Sequence, residues 1–320
     1  MHNWKRFSAF LLIFALFLLS QPAAALLGSP EEGEEISGAP IAQDLEIKTY
    51  CGVAYTGTFS AVDNEGEAVT FSIDQAPKKG SVTIQDDGIT FLYTPSDRKS
   101  GKDSFSYTAA DASGNISAPA TVHIEINKQK SGVSYSDMSG HSAQAAALQL
   151  AEEGIFVGRQ VSGAWFFDPE ETVSRSEFLA MAMTAAGLEA EESAAATAFS
   201  DDEAISAWAR GYAAAAVKEG ILSGVSTDQG AAFRGDEPIT FNEAATVLDR
   251  LLDVTDVQLP EGQTTWAAQA MANMESVRVV SAGSFGSGSL AITRADAAQM
   301  LSAALELTEE ESGGWFSSLF

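Results

Sequence analysis

Three positions, Ser142, Trp208 and Trp266, each open an ungapped stretch of one pattern, and a chain that repeats itself three times builds a core that its copies share. The openings are His141-Ser142-Ala143, Ala207-Trp208-Ala209 and Thr265-Trp266-Ala267, at intervals of 66 (208 − 142) and 58 (266 − 208), the difference falling in loops. Twelve residues after each comes Gly154-Ile155-Phe156-Val157-Gly158, Gly220-Ile221-Leu222-Ser223-Gly224 and, degraded, Arg278-Val279-Val280-Ser281-Ala282. Apolar residues at Trp208, Tyr212, Ala215 and Ala216 predict a helix over 207–219 that buries this face. Gly220 and Gly224 end it, and loops with Phe166-Phe167-Asp168-Pro169 and Phe233-Arg234-Gly235-Asp236 follow in the first two copies. A second helix then opens with Ser174-Arg175-Ser176-Glu177, Thr240-Phe241-Asn242-Glu243 and Thr293-Arg294-Ala295-Asp296. Each is a hydroxyl at the N-cap with an acid three residues on, which returns a hydrogen bond to the cap's own N–H. We therefore read Ser174, Glu177, Thr240, Glu243, Thr293 and Asp296 as structural caps rather than catalytic groups, each box contributing about 0.5–2 kcal/mol.

The start of the chain has a different job. Lys5 and Arg6 precede the apolar run from Phe10 to Leu19, and Ala23-Ala24-Ala25 closes it, which is the order of a secretory signal peptide cleaved after Ala25. The run falls short of the roughly 20 apolar residues of a membrane span. Residues 26–38 are acidic and rich in Gly, Ser and Pro, a flexible leader. The net charge is −26, and −28 (−26 − 2) once Lys5 and Arg6 are removed, so nucleic acid is repelled at long range and is an unsuitable partner. A single cysteine, Cys51, forms no internal disulfide and is expected as a buried strand residue.

Residues 39–127 carry short β-branched and aromatic stretches: Val69–Ile73, Ser81–Ile84, Thr90–Tyr93, Ser104–Thr108 and Thr121–Ile126. Turn clusters such as Asn64-Glu65-Gly66, Asp86-Asp87-Gly88 and Ala112-Ser113-Gly114 separate them, and about seven strands at this spacing predict an antiparallel sandwich. With Gly80-Ser81-Val82-Thr83, Tyr93-Thr94-Pro95 and Gly101-Lys102-Asp103-Ser104-Phe105-Ser106-Tyr107, nearly the whole segment resembles the bacterial Ig-like, cadherin-like family. These motifs imply a fold and name no ligand.

After a linker at 128–134 the chain turns alanine-rich. Tyr135-Ser136-Asp137, Phe199-Ser200-Asp201, the Gly-Ile…Gly turn and the threefold Ser/Thr-x-x-acid element resemble the S-layer homology domain over residues 135–307. The implied organisation is multidomain, an all-β Ig-like sandwich followed by an all-α pseudo-threefold set of repeats at 135–190, 197–255 and a degenerate 260–307, with a tail at 308–320. The resemblance also implies grooves between repeats that bind cell-wall polysaccharide or peptidoglycan, commonly a pyruvylated secondary wall polymer. Arg175 and Arg294 occupy the family's arginine position just after an N-cap, where free backbone N–H groups also attract anions. Trp208 and Trp266 stack on sugar or pack between helices, the second being favoured, and Trp165 serves either way. Ser142 in place of the usual Trp, Phe241 in place of the usual Arg and the missing aromatic-Ser-Asp of the third copy imply that not every groove works.

No enzyme is legible. His123 and His141 lack metal-spaced or nucleophilic partners, His2 leaves with the signal peptide, and no carboxylate pair stands out by spacing. No cofactor is expected, although Asp63, Glu65, Asp103 and Asp111 put oxygen ligands for calcium at turns of the sandwich. The tail Gly313–Phe320 is short and apolar after Glu309-Glu310-Glu311, which leaves a docked and a free end equally open. The expected protein is a secreted, non-enzymatic, wall-anchored surface protein with no membrane span once mature. Its sandwich acts as a spacer or meets a protein or glycan target; an adhesin and a self-assembling lattice component are the alternatives.

Overall fold

The computed structural model describes residues 38–192, 194, 196–259, 262, 265–280 and 288–313, with side chains to 307. The expected signal peptide, the expected leader to Ser37 and the tail beyond Gly313 lie outside these residues. Between Lys128 and Gln129 the chain divides into two units.

The first unit is built from nine strands: β1 (Ile41–Ala42), β2 (Leu45–Tyr50), β3 (Tyr55–Thr58), β4 (Ala61–Val62), β5 (Thr70–Gln75), β6 (Gly80–Ile84), β7 (Thr90–Pro95), β8 (Gly101–Ala110) and β9 (Ala120–Asn127). A four-stranded sheet runs β2-β9-β8-β5, a three-stranded one β3-β7-β6, and β1 pairs with β4. In β9 the residues Val122, Ile124 and Ile126 are buried while His123 and Glu125 are exposed, the period of two that seats one face on a core. Phe59 gathers that core, its ring 4.6 Å from Tyr107 and 4.9 Å from Phe91. The Tyr107 hydroxyl, fully buried, finds the Ser60 carbonyl at 2.8 Å, as a buried phenol must.

Two expectations are corrected here. The sheets are not wholly antiparallel: β2 runs parallel to β9, in register from Leu45↔Val122 to Tyr50↔Asn127. Such a pair joins strands from opposite ends of the unit and leaves no local turn signature. Cys51 is not in a strand either. It sits half-buried in the turn after β2, with its thiol 3.0 Å from the Lys99 carbonyl.

Among the described residues the second unit contains six α-helices and two hairpins: α1 (Gln144–Glu152), β10 (Arg159–Val161), β11 (Ala164–Phe166), α2 (Arg175–Ala185), α3 (Ala207–Lys218), β12 (Val225–Thr227), β13 (Gly230–Ala232), α4 (Phe241–Leu252), α5 (Ala268–Ser276) and α6 (Arg294–Gly313). It is therefore not all-α. The loops of the first two repeats fold into antiparallel hairpins, and the first turns at Ser162-Gly163 with both φ positive (51° and 88°), the geometry that matches strand twist.

The first helix of each repeat packs on the second helix of another: α1 on α6, α3 on α2 and α5 on α4. Small residues make the close approach possible. Ala209, Ala213 and Ala216 form the buried face of α3; of the expected face Ala216 is buried, Tyr212 and Ala215 are half-buried, and Trp208 stands out of it. Just before the three N-caps the backbones close a ring. Val173 N–H donates to the Ile292 carbonyl (3.2 Å), Ile292 N–H to Ile239 (2.9 Å) and Ile239 N–H to Val173 (2.9 Å). All three side chains are buried, so the shared core that the repetition demanded lies here.

Each loop is fastened by the aspartate of the aromatic-Ser-Asp opening. Asp137 accepts the N–H of Phe167 and Asp168, and Asp201 those of Phe233 and Arg234. Gly224 permits the turn into the second loop. Its φ is +73°, and a Cβ there would lie 2.6 Å from the Phe199 ring and 2.9 Å from the Ala232 carbonyl. Gly224→Ala is expected to destabilise this unit by about 2 kcal/mol, strain and overpacking together. Gly140→Ala, at φ +76° with open space around it, carries the strain alone and should cost about 1 kcal/mol. Urea unfolding of the two variants checks the difference, and equal losses would mean the ring contact is irrelevant.

Candidate functional site

The capping boxes set the stage. Ser174 and Thr240 accept the N–H of Glu177 and Glu243, whose carboxylates accept the cap N–H groups in return, and Thr293 and Asp296 exchange the same two bonds. What these helix starts do not offer is a free anion site. The N–H of Arg175 goes to the Glu237 carbonyl and that of Ser176 to Gly235, while Arg294 and Ala295 donate to Glu171 and Pro169. Phe241 and Asn242 do likewise to Leu290 and Gly288. The expectation of unengaged N–H groups is overturned because a neighbouring repeat's loop takes them, which is how buried helix ends are satisfied.

The two nominated arginines hold equivalent places. Arg175 Nε donates to the Phe233 carbonyl at 2.8 Å, its guanidinium pairs with Glu243, and it lies 5.9 Å over the Phe233 ring. It is 8% exposed, so it is neither a solvated surface cation nor an open fork. Arg294 Nη1 reaches the Phe167 carbonyl and Asp168 Oδ2, both at 3.3 Å, and stands over the Phe156 ring. Asp168 is also gripped by Arg159 through two bonds of 2.6 and 2.8 Å, which with Arg294 hold its carboxyl below the usual range.

Two grooves follow from this geometry, and they differ. The one between the start of α2 and the second repeat has a volume of about 620 Å³. Its floor is Leu179, Leu222, Phe233, Ile239 and Val247; its rim carries Ser223, Ser226, Thr246, Arg250 and Trp266. Beside Arg294 the corresponding space is about 10 Å³, lined by Leu150, Phe156, Phe167 and Met181. In the register of the repeat, Leu150, Phe156 and Met181 stand where the second copy has Ala216, Leu222 and Val247, so bulkier side chains close the first groove.

Trp266 is 70% exposed and Trp208 53%, which corrects the favoured reading of both as packed between helices. Only Trp266 joins the open groove; Trp208 begins α3 and Trp165 is half-buried in β11, bridged to Tyr135. Arg250 was missed by the sequence reading. It lies in the last turn of α4, where the first copy has Thr184, and that gain of a cation in one copy was the available signal.

In the sandwich three of the four acidic candidates for calcium, Asp63, Asp103 and Asp111, are engaged separately by backbone N–H groups. Asp63 accepts the N–H of Glu65 and Glu67, Asp103 those of Lys78 and Lys79, and Asp111 that of Asn115 together with its side-chain amide. Among the described residues no group of three or more His, Cys, Asp or Glu is placed to hold a metal ion. Asp63, Asp103 and Asp111 thus each close a turn of their own. No helix of the described residues is long and apolar enough to cross a membrane.

Comparison with known proteins agrees with this division. The bacterial cadherin-like domain family matches residues 38–128, and the S-layer homology domain family matches 134–179 and 198–245. Both are non-enzymatic domain families. No curated protein matches the chain. Among solved structures, an endo-fucoidan hydrolase of glycoside hydrolase family 107 is 21% identical at a TM-score of 0.25, over 30% of this chain and 14% of its own. The sialic acid binding region of a Streptococcus sanguinis adhesin is 16% identical at 0.24, over 30% and 31%. Fibronectin(III)-like modules of Clostridium thermocellum CbhA are 18% identical at 0.21, over 28% and 48%. The chain thus spans less than half the length of each, and likenesses this partial carry no argument. What the family matches show is plain: the chain carries a bacterial cadherin-like domain followed by S-layer homology repeats, the make-up of a cell-wall-associated surface protein.

Proposed function

We propose that the helical unit anchors an exported, non-enzymatic surface protein by seating a cell-wall glycan in the open groove between α2 and the second repeat. The three repeats are read as lying about a pseudo-threefold axis, which the ring of Val173, Ile239 and Ile292 supports. The observation that carries the function is the make-up of the groove. An apolar floor, hydroxyls at Ser223, Ser226 and Thr246, and the exposed face of Trp266 are what a sugar ring needs, with its flat faces apolar and its edge polar. Of the two grooves formed by described residues, the one beside Arg294 is closed and the one beside Arg175 is open. The cadherin-like unit is then the module that the anchor holds at the surface.

Trp266→Ala is the test. Burial of an aromatic face contributes about 1.5–3 kcal/mol, so the variant is expected to bind purified cell walls about ten- to a hundredfold more weakly, with its melting unchanged because the ring is exposed. Wall binding at the wild-type level by this variant would rule the groove out as the anchor.

A further inference from the structure

Strand register sorts the loops of the sandwich to its two ends. Segments 38–44, 59–69, 85–90 and 111–120 lie where β9 begins, and segments 51–54, 76–80, 96–103 and 127–128 lie where it finishes. The first group carries seven Asp or Glu and no Lys or Arg, a charge of −7. The second carries six Lys or Arg and two Asp, a charge of +4 (6 − 2), so a third of the chain's 18 cations gather at one end of one module. The eight residues of β9 set the two ends about 23 Å apart at roughly 3.3 Å per residue, and charge is screened within about 8 Å at physiological salt. The acidic end therefore does not cancel the basic one at contact.

The loops of the basic end are laced into one platform. Asp103 accepts the N–H groups of Lys78 and Lys79 and the Tyr93 hydroxyl, which sets the turn between β5 and β6. The Lys79 carbonyl accepts the Ser96 N–H at 2.7 Å and its Nζ donates to the Ser100 carbonyl at 2.9 Å, joining that turn to the loop between β7 and β8. The Cys51 thiol, 3.0 Å from the Lys99 carbonyl, joins the turn after β2 to the same loop. Lys102 stands opposite Glu125 in the register of β8 and β9. Lys78, Arg98 and Lys99 are different: they are exposed, and among the described residues their side chains make no hydrogen bond or ion pair, with Asp97 or any other acid. Like charges held on neighbouring loops repel, and an anion laid across them removes the repulsion. They stand on loops rather than round a cavity, which suits a ligand that brings several charges along a line. Two of the three are lysines, which meet phosphate as point charges, and the fork of Arg98 fits phosphate oxygens as well.

We infer that the basic end of the cadherin-like unit is a binding site for a linear phosphodiester polymer, which Lys78, Arg98 and Lys99 contact directly. The site belongs to the sandwich alone and does not depend on the groove of the helical unit. Its binding is electrostatic and local: the −26 of the whole chain opposes a polyanion at a distance, and the three cations act once it is within a screening length.

The experiment titrates the full chain, the triple variant Lys78→Gln/Arg98→Gln/Lys99→Gln and Trp266→Ala with three probes: a poly(glycerol phosphate), a polyuronate of the same charge and length, and vesicles of phosphatidylglycerol in phosphatidylcholine. The wild type is expected to bind the phosphate polymer with a Kd of about 10–100 µM at 50 mM salt, and to lose about 20- to 40-fold by 200 mM as three contacts release their counterions. It should bind the polyuronate several-fold more weakly. The triple variant should lose binding with its melting unchanged, because the three side chains are exposed and unpaired. If it does not fold, Arg98→Gln alone serves, and the slope of its salt dependence should fall by about a third. Trp266→Ala should bind the polymer as the wild type does. No binding of the phosphate polymer at 50 mM salt, or undiminished binding by the folded triple variant, overturns the inference. Equal affinity for the polyuronate overturns the choice of phosphate, and tighter binding to the vesicles that the triple variant abolishes assigns the site to a lipid surface instead. A loss confined to Trp266→Ala would place the binding in the helical unit, which overturns this inference and leaves the groove reading standing.

Discussion

Glu243→Ala is expected to destabilise the helical unit by about 3–5 kcal/mol, while Glu177→Ala, at the same position of the preceding repeat, should cost about 1 kcal/mol. Both acids close a capping box, Glu177 with the Ser174 N–H at 2.9 Å and Glu243 with the Thr240 N–H at 3.0 Å. Losing that bond is the whole expected effect at 177. At 243 the carboxylate also faces the Arg175 guanidinium, whose side chain is 9% exposed. Arginine does not deprotonate to escape burial, so the variant would hold a buried charge with the Phe233 carbonyl as its remaining strong partner. Tryptophan fluorescence reports on this unit, since Trp165, Trp208 and Trp266 all lie in it and residues 38–128 contain no tryptophan. Equal losses for the two variants in urea would show that the ion pair contributes nothing. By the same reasoning Arg175→Ala should unfold the unit more readily than it alters ligand binding, since it leaves Glu243 without its buried partner.

Why the pair was illegible in the sequence is a matter of range. A capping box is written within four residues, and its two bonds are backbone to side chain inside one helical turn, so Ser174 with Glu177 and Thr240 with Glu243 could be read directly. The partner of Arg175 is 68 residues away (243 − 175) in another repeat. Repetition told that the copies share a core, but not that each second-helix start would insert under the next copy's loop and there use its own N–H groups. That insertion is what turned an apparent anion site into a structural joint. Closure of the groove beside Arg294 was legible in principle. Leu150, Phe156 and Met181 against Ala216, Leu222 and Val247 is a difference in side-chain volume at fixed register, and register was already known.

The sandwich divides the same way. Strands with alternation, such as Thr121–Ile126 within β9, announced themselves because side chains at i and i+2 share a face. The parallel pairing of β2 with β9 did not, since it joins residues 77 apart (122 − 45) with no turn between them to constrain the choice. Acidic turns were visible too, but turn composition is the same whether a carboxylate caps backbone N–H groups or gathers around an ion. Only the positions of neighbouring donors decide that, and they belong to the fold.

Asp103 is where that decision has the largest consequence. Its Oδ1 accepts the Lys78 N–H at 2.9 Å, and Oδ2 accepts the Lys79 N–H at 2.8 Å and the Tyr93 hydroxyl at 2.9 Å. Tyr93 is fully buried, and burial, with Asp103 beside it, pushes its phenol well above the ordinary value. Asp103→Ala is expected to cost the sandwich about 3 kcal/mol, since hydrogen bonds to a charged group contribute about 1.5–3 kcal/mol each, partial exposure reduces their sum, and the phenol loses this acceptor. Tyr93→Phe alone should cost about 1 kcal/mol, and the two losses should not add, because they share one bond. The pH dependence has a definite sign. Burial raises the Asp103 carboxyl, but the Lys78 and Lys79 N–H groups and the phenol outweigh it and hold the folded value below 3.8. The unfolded chain therefore binds the proton first, and the contribution is complete above that range and is lost as pH falls through it and below. Calorimetry of wild type and Asp103→Ala should show the gap between their melting temperatures narrowing as the solution is acidified below about pH 4. With three donors aimed at the carboxylate, added calcium should leave the wild-type transition where it is. A calcium-dependent rise in melting that Asp103→Ala abolishes would instead make this side chain a ligand.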